Sequence, residues 1–200
     1  MDATLCILAG GEARRMGQPK AELVVRGQPI LARLLERFQW RGPTMLVTAP
    51  SRRSPAGAEL FDREVVDPVD GEGPLRGVWT ALENLATPLA IITTIDMPCL
   101  RPAHLHWLMQ QLDPASLGLM LRRGSRIEPF PSIYRDSARA VVRQRYECSE
   151  RSVRALAKVG GFRAVDAPLD WDNSVWTNLN TPEDFARFIA VESTAPNSPT

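Results

Sequence analysis

Residues 89–95 constrain the fold of this chain more than any other segment. They read Leu-Ala-Ile-Ile-Thr-Thr-Ile, a continuous apolar and β-branched run without the alternation of a half-exposed strand. Such a run is typical of a strand that is buried on both faces, as in a parallel sheet covered by helices. Hydrophobic residues make up 44% of the 200 positions, which is ample for a core of that kind.

Strand-like and helix-like segments alternate along the rest of the chain. The predicted strands are residues 5–8, 44–48, 64–66, 89–95, 117–122, 127–135 and 162–165, and residues 49–60 read as a loop. Helices are predicted from Pro29 through residue 38, over 75–85, 102–112, 137–146 and 150–159, and from Thr181 onward. This order predicts an α/β sandwich with right-handed crossovers and a mainly parallel sheet. We expect one domain over residues 1–192 and a polar, disordered tail over 193–200.

Composition argues against several classes of protein. The charges nearly cancel, at a formal +1, whereas a general nucleic-acid binder would show a concentrated basic face. No apolar run approaches the length of a membrane span, and the first residues lack the features of a signal peptide. The three cysteines are widely spaced and form no Cys-x-x-Cys pair, which argues against zinc and disulfide frameworks. We therefore expect a cytoplasmic protein without nucleic-acid or membrane partners.

The first predicted strand runs into a glycine-rich and basic stretch, formed by Gly10, Gly11, Arg14, Arg15, Gly17 and Lys20. Consecutive glycines after a strand can present backbone N–H groups in a concave nest that suits a phosphate. The alternative is an ordinary turn with solvated arginines. Lys20 favours the phosphate site, because only it and Lys158 are lysines among the 24 basic residues. Neither the P-loop nor the dinucleotide fingerprint fits the spacing.

Two aspartates, Asp67 and Asp96, directly follow predicted strands. Ligands of parallel sheets bind at the carboxyl ends of the strands, so we expect both aspartates and the glycine stretch to line one cleft. Mg²⁺ typically uses one or two carboxylates together with substrate phosphates. Asp96 is therefore the predicted metal ligand, with a simple turn residue before Pro98 as the alternative.

Four motifs, in order over about residues 5–185, resemble those of the molybdenum cofactor guanylyltransferase family of NTP transferases. They are Leu8-Ala9-Gly10-Gly11 with Arg15-Met16-Gly17 and Lys20; Asp67 with Gly73-Pro74-Leu75-x-Gly77; Asp96-Met97-Pro98; and Asn178-Leu179-Asn180-Thr181-Pro182-x-Asp184. The resemblance implies a three-layer α/β/α Rossmann-like nucleotidyltransferase fold. It also implies transfer of GMP from GTP to molybdenum-bearing molybdopterin, with release of pyrophosphate.

The resemblance also implies roles for particular residues. The nucleotide-binding positions would be Leu8, Ala9, Gly10, Gly11, Lys20, Asp67 and Asp96. The catalytic positions would be Lys20, Asp96 and Arg15, with Asp96 binding Mg²⁺. Asn178 and Asn180 are weaker candidates for binding the acceptor, and local hydrogen bonding before the last helix is their alternative role. Molybdoenzymes or other cofactor-biosynthesis proteins are implied as further partners.

Three departures from the family pattern concern the identity of the base. Arg76 stands where alanine is usual, and Thr48 stands where an asparagine is common. Gln18-Pro19 before Lys20 is similar to the related cytidylyltransferases, so CTP is the alternative nucleotide. A sugar-1-phosphate nucleotidyltransferase and a catalytically silent nucleotide-binding regulator are further alternatives; retention of both Lys20 and Asp96 argues against the regulator.

Overall fold

A computed structural model describes residues 2–10, 16–50, 53–69 and 71–194, and its centre is a seven-stranded mixed sheet. The order of the strands across the sheet is β5-β4-β1-β6-β8-β7-β9. A separate two-stranded ribbon is formed by β2 and β3. The strands are β1 Ala3–Leu8, β2 Val24–Val25, β3 Gln28–Pro29, β4 Thr44–Thr48, β5 Arg63–Val66, β6 Leu89–Thr94, β7 Gly118–Arg123, β8 Arg126–Arg135 and β9 Phe162–Asp166.

The sheet is mainly parallel, as the sequence predicted. Among the described strands of this sheet, only β8 runs against its neighbours, β6 and β7. The reversal follows from the tight turn that joins β7 to β8, where Gly124 has a φ of +60°. All six residues of β1 are buried, and so are five of the six in β6. This burial confirms the prediction of strands covered on both faces.

Helices flank the sheet, and each helix buries one of its own sides. They are α1 Ile30–Phe38, α2 Pro74–Glu83, α3 Pro102–Gln110, α4 Arg139–Glu147 and α5 Pro182–Thr194. In α1 the buried positions are Ile30, Leu31, Leu34 and Phe38, which share one face at helical spacing. Within the described residues, no helix is both long and apolar enough to cross a bilayer.

Two predicted helix boundaries are wrong. Pro29 does not open α1; it lies one residue earlier and pairs with Val24 in the ribbon. The predicted helix over residues 150–159 is instead a 3₁₀ helix, Val153–Lys158. Its buried residues, Val153 and Leu156, are three apart, which matches the three residues per turn of a 3₁₀ helix better than the period of an α-helix.

The connections place a crevice beside the carboxyl end of β1. The chain passes from β1 to β4 and β5 on one side of the sheet, and then returns to β6 on the other side of β1. Such a reversal of strand order opens a crevice at the carboxyl ends of the strands. Helix α5 extends to Thr194, and the rest of the predicted tail, residues 195–200, lies outside the described residues.

Candidate active site

The ammonium group of Lys20 lies at the centre of a polar cluster. Lys20 Nζ donates to Asp96 Oδ2 at 2.7 Å and to Asn180 Oδ1 at 2.9 Å. The hydroxyl of Thr94 donates to the other oxygen of Asp96. Asp96 follows β6 by two residues, and its carbonyl accepts from Leu179 N at 2.9 Å. Residues 20, 96 and 180, far apart in the chain, are thereby joined at one point.

Asp67 follows β5 directly and is held by two donors on α2. Arg76 Nε donates to Asp67 Oδ1 at 2.8 Å, and Thr80 Oγ1 donates to the same oxygen at 3.0 Å. Both side chains of this ion pair are largely buried, with exposed fractions of 6% for Arg76 and 12% for Asp67. The guanidinium carbon of Arg76 also lies 4.0 Å from the ring centre of Trp79. Asp67 is therefore charge-balanced and fixed in orientation.

Lys20, Asp67, Thr94 and Asp96 line one cleft of about 290 Å³ at the carboxyl ends of β1, β4, β5 and β6. Its lining includes Leu8, Gly10, Lys20, Thr48, Asp67, Gly73, Gly77, Thr94 and Asp96. The structure thus places both aspartates together with Gly10 and Lys20 of the glycine stretch.

Two glycines of the second motif allow the cleft to form. Gly73 precedes α2 with a φ of +81°, a backbone conformation that L side chains rarely adopt. At Gly77 an added Cβ would lie 3.2 Å from Leu8 Cδ1, so glycine permits α2 to approach β1 closely. The spacing Gly-Pro-Leu-x-Gly is therefore explained by backbone geometry and packing.

The remaining predicted site residues are placed as follows. Gly11 and Arg15 lie outside the described residues. Ala9 is buried and borders a neighbouring cavity that also includes Thr48. The side-chain amide of Asn178 donates to Trp176 O at 2.9 Å, which is local loop bonding. Asn178 and Asn180 both line a second cavity, of about 410 Å³, on the β8 side of the site.

The side chains around Asp96 fit a divalent cation that takes most of its ligands from the phosphates of a bound nucleotide. Within the described parts of the chain, no group of three or more His, Cys, Asp and Glu side chains is arranged to hold a metal. Asp96 would thus supply one carboxylate, which agrees with the habit of Mg²⁺ of combining one or two carboxylates with phosphates and water.

Several residues of the site were missed by sequence reasoning. Thr94 and Val69 line the cleft, and Glu128 lines the second cavity. Thr94 gave no signal, because it continues a β-branched strand. Glu128 did give one: a carboxylate at a buried position of a strand is uncommon and indicates a function or a specific partner.

Comparison with known proteins shows the family to which this chain is similar. The sequence model of the MobA-like NTP transferase domain family matches residues 5–165. A relative from Opitutus terrae, named "Probable molybdenum cofactor guanylyltransferase", is 32% identical over 90% of this chain and 92% of its own length. A relative of the same name from Chloroflexus aggregans is 32% identical over 90% of this chain and 89% of its own length.

A solved structure shows the same fold. The molybdopterin-guanine dinucleotide biosynthesis protein A from Archaeoglobus fulgidus superposes with a TM-score of 0.79 at 21% identity, covering 96% of this chain and all of the other.

Proposed function

Because the chain belongs to the family of MobA-like NTP transferase domains, we propose that it transfers GMP from GTP to a molybdenum-bearing molybdopterin, with release of pyrophosphate. The observation that supports this most directly is the contact of Lys20 with both Asp96 and Asn180, where the two cavities approach each other. One cavity would hold the nucleotide and the other the acceptor.

The reaction needs charge neutralisation and positioning more than it needs a reactive side chain. A phosphate oxygen of the acceptor attacks the α-phosphorus of GTP, a new P–O–P linkage forms, and the bond to the β-phosphate oxygen breaks. Two anions must approach each other, so Lys20 would neutralise charge on the phosphates while the residues around it hold them in line. Burial raises the pKa of the Cys6 thiol to about 12, so this cysteine is no candidate nucleophile.

Mg²⁺ bound to Asp96 would supply Lewis-acid stabilisation of the phosphate charge. Thr94 donates to one oxygen of Asp96 and Lys20 to the other, which fixes the carboxylate plane within the cleft. Asp67 would lie beside the ribose or base, oriented by Arg76.

Selection of guanine requires acceptors for the N1–H and 2-amino groups of the base. The backbone carbonyls of Leu8 and Ala9 are the candidates, and that of Leu8 already accepts from Ile95 N at 3.1 Å. A site that pairs with these donors leaves polar groups unpaired when it holds another base, at about 1–3 kcal/mol for each group.

The test is a competition between equal concentrations of GTP and CTP, with Mg²⁺ and molybdenum-loaded molybdopterin. We expect guanylyl transfer to predominate, pyrophosphate to appear in equal amount, and both to stop when a chelator removes the metal. Preferential cytidylyl transfer would overturn the guanine assignment but leave the reaction class intact. Transfer from neither nucleotide would overturn the proposal and favour the sugar-phosphate or regulator alternatives.

A further inference from the structure

The second cavity lies where β8 extends beyond the end of its partner strand. The pairing of β6 with β8 begins at Leu89 and Arg135 and ends at Ile92 and Ser132, so the first residues of β8 flank the space past the carboxyl end of β6. Thr94, Asn178 and Asn180 line the cavity near Asp96. Its other lining includes Arg123, Arg126 and Glu128.

Glu128 is the unusual member of this lining. The residue is only 8% exposed, and its Oε1 is buried without a hydrogen-bond partner among the described residues. Two guanidinium nitrogens lie near this oxygen, Arg123 Nε at 3.4 Å and Arg126 Nε at 3.6 Å. These contacts balance the charge of the carboxylate but leave the hydrogen-bonding capacity of Oε1 unused. A buried acceptor without a hydrogen-bond partner is unfavourable, so it points to a partner outside the chain.

The chemistry of a carboxylate restricts what that partner can be. It accepts hydrogen bonds and repels phosphate, so it does not bind the reacting end of a phosphorylated acceptor. It suits a pair of neighbouring N–H donors, such as the amino group and ring N–H of a 2-aminopyrimidin-4-one. The pterin ring contains that pair of donors.

We propose that Glu128 recognises the 2-amino and ring N–H groups of the acceptor's pterin, while the acceptor's phosphate lies at the end of the cavity formed by Thr94 and Asn180. This inference rests on the proposed function, because the pterin comes from the acceptor named there. It adds a specificity-determining residue to that site and an orientation of the acceptor, with the pterin ring at β8 and the phosphate beside the ammonium group of Lys20.

The remaining walls are consistent with a flat, anionic ligand. Phe130 and Trp176 also line the cavity and give it aromatic surface; the guanidinium carbon of Arg123 lies 5.3 Å from the centre of the Trp176 ring. Three guanidinium groups, of Arg123, Arg126 and Arg154, stand against the single carboxylate, so the cavity is cationic overall. Arg123 and Arg126 are 45% and 61% exposed, and they can turn into solvent when a ligand reaches Glu128.

The experiment compares two fluorescent probes on the full chain. One is 6-hydroxymethylpterin; the other is the matching lumazine, which replaces the 2-amino group with a carbonyl oxygen. We expect the wild type to bind the pterin at least about tenfold more tightly, because the lumazine carbonyl faces the Glu128 carboxylate. In Glu128→Gln this preference should largely disappear, since an amide can donate to the lumazine oxygen.

The matched control is Glu147→Gln, the same chemical change at an exposed glutamate that pairs with Arg143 on α4. It should keep the wild-type preference. Thermal unfolding of each variant shows that it is folded before probes are compared. Equal binding of both probes by the wild type, no binding of the pterin, or an unchanged preference in Glu128→Gln would each overturn the role of Glu128.

A transfer assay separates failure of this inference from failure of the proposed function. In that assay Glu128→Gln should raise the acceptor KM at least about tenfold and leave the GTP KM unchanged. If the wild type transfers GMP and the acceptor KM of Glu128→Gln is unchanged, then Glu128 has no role in binding the acceptor, and the enzyme assignment stands. If the wild type prefers the pterin probe but transfers nothing, then the pterin site stands and the enzyme assignment is wrong.

Discussion

Lys20 is one of only two lysines in the chain, and its ammonium group contacts both Asp96 and Asn180. We expect Lys20→Ala to lower the rate of pyrophosphate release about 10²-fold or more, because a positioned cation at the reacting phosphates is lost. Lys158→Ala is the matched control, since Lys158 is exposed at the end of a 3₁₀ helix. A wild-type rate in Lys20→Ala, measured with saturating substrates, would exclude this role.

The buried pair of Asp67 and Arg76 makes a prediction about stability. Arg76→Met leaves a buried carboxylate without its counter-charge, which we expect to cost about 3–5 kcal/mol in urea unfolding. Adding Asp67→Asn to the same chain removes the stranded charge and should recover most of that loss. A double-mutant cycle measures this coupling, and additive effects of the two changes would show that the pair is energetically unimportant.

The pair of Asp67 and Arg76 also shows what can be predicted from individual residues in a sequence. Asp67 was predicted because it follows a strand, and Arg76 was noticed because it replaces the usual alanine. That the two are partners was not predictable, because the contact depends on how the first turn of α2 packs beside the end of β5. Asn180 is a similar case, since its contact with Lys20 joins positions 160 residues apart.

Among the elements, helix α3 has an N-terminal cap that depends on the side chain of His104. The backbone N–H of Arg101 donates to His104 Nδ1 at 3.0 Å, and the His104 ring lies 4.5 Å from that of Trp171. Burial and then the charge of Arg101 lower the pKa of His104 below its ordinary value of 6.5. Folding therefore favours the neutral ring, and this contribution to stability is lost as the pH falls below 6.5 toward the folded-state pKa.

We expect His104→Gln to show a weaker dependence of Tm on pH than the wild type between pH 7.5 and 5. A cap of this kind contributes about 1 kcal/mol, which corresponds to about 2–4 °C for a chain of this size. The carboxylates titrate alike in both proteins, so the difference between the two curves isolates His104. Superimposable curves would show that the cap does not depend on the protonation of this ring.

The correctly predicted strands are determined by their own residue pattern, whereas the 3₁₀ helix that was not predicted depends on tertiary contacts. The runs that form β1 and β6 are buried on both faces, so their residue pattern alone indicates a strand. The 3₁₀ helix Val153–Lys158 was misread because Arg151, just before it, is tied elsewhere: its carbonyl accepts from Leu75 N, and its guanidinium binds Glu72. Tertiary contacts of that kind leave no periodic signal in a sequence.

For the whole molecule, helices α1 and α5 are joined through Glu192. This residue of α5 is 6% exposed and pairs with Arg33 and Arg37 of α1. Burial by itself would raise the pKa of Glu192, but its bond with Arg33 and the charge of Arg37 lower it. The last helix, which follows Asn180 closely, is thus fixed to the first helix of the fold.

We expect Glu192→Gln to lower the free energy of unfolding by about 1.5–3 kcal/mol, the range for hydrogen bonds to charged groups. The exposed pair of Arg143 and Glu147 provides the comparison, because Glu147→Gln should change it by less than about 0.5 kcal/mol. Urea denaturation measures both. Equal effects of the two substitutions would mean that the Glu192 contacts are no stronger than a surface pair.

The sequence was sufficient to predict the overall architecture and the cleft that contains Asp67 and Asp96. Alternating strands and helices predicted the mainly parallel sheet, and strand ends predicted where Asp67 and Asp96 would lie. The second cavity was not foreseen, because it depends on β8 running antiparallel past the end of β6. The turn at Gly124 indicates that β7 and β8 are antiparallel to each other, but it does not indicate which of the two runs against the rest of the sheet.

Thr94 lines both cavities, and this shared wall affects how the reaction would end. Two substrates can lie on either side of it at once, so no covalent intermediate has to wait for the second. The product, however, inherits both binding sites: its guanosine end stays in one cavity and its pterin end in the other. Joined ligands dissociate far more slowly than separate ones. The finished dinucleotide would therefore leave the two cavities more slowly than either substrate alone.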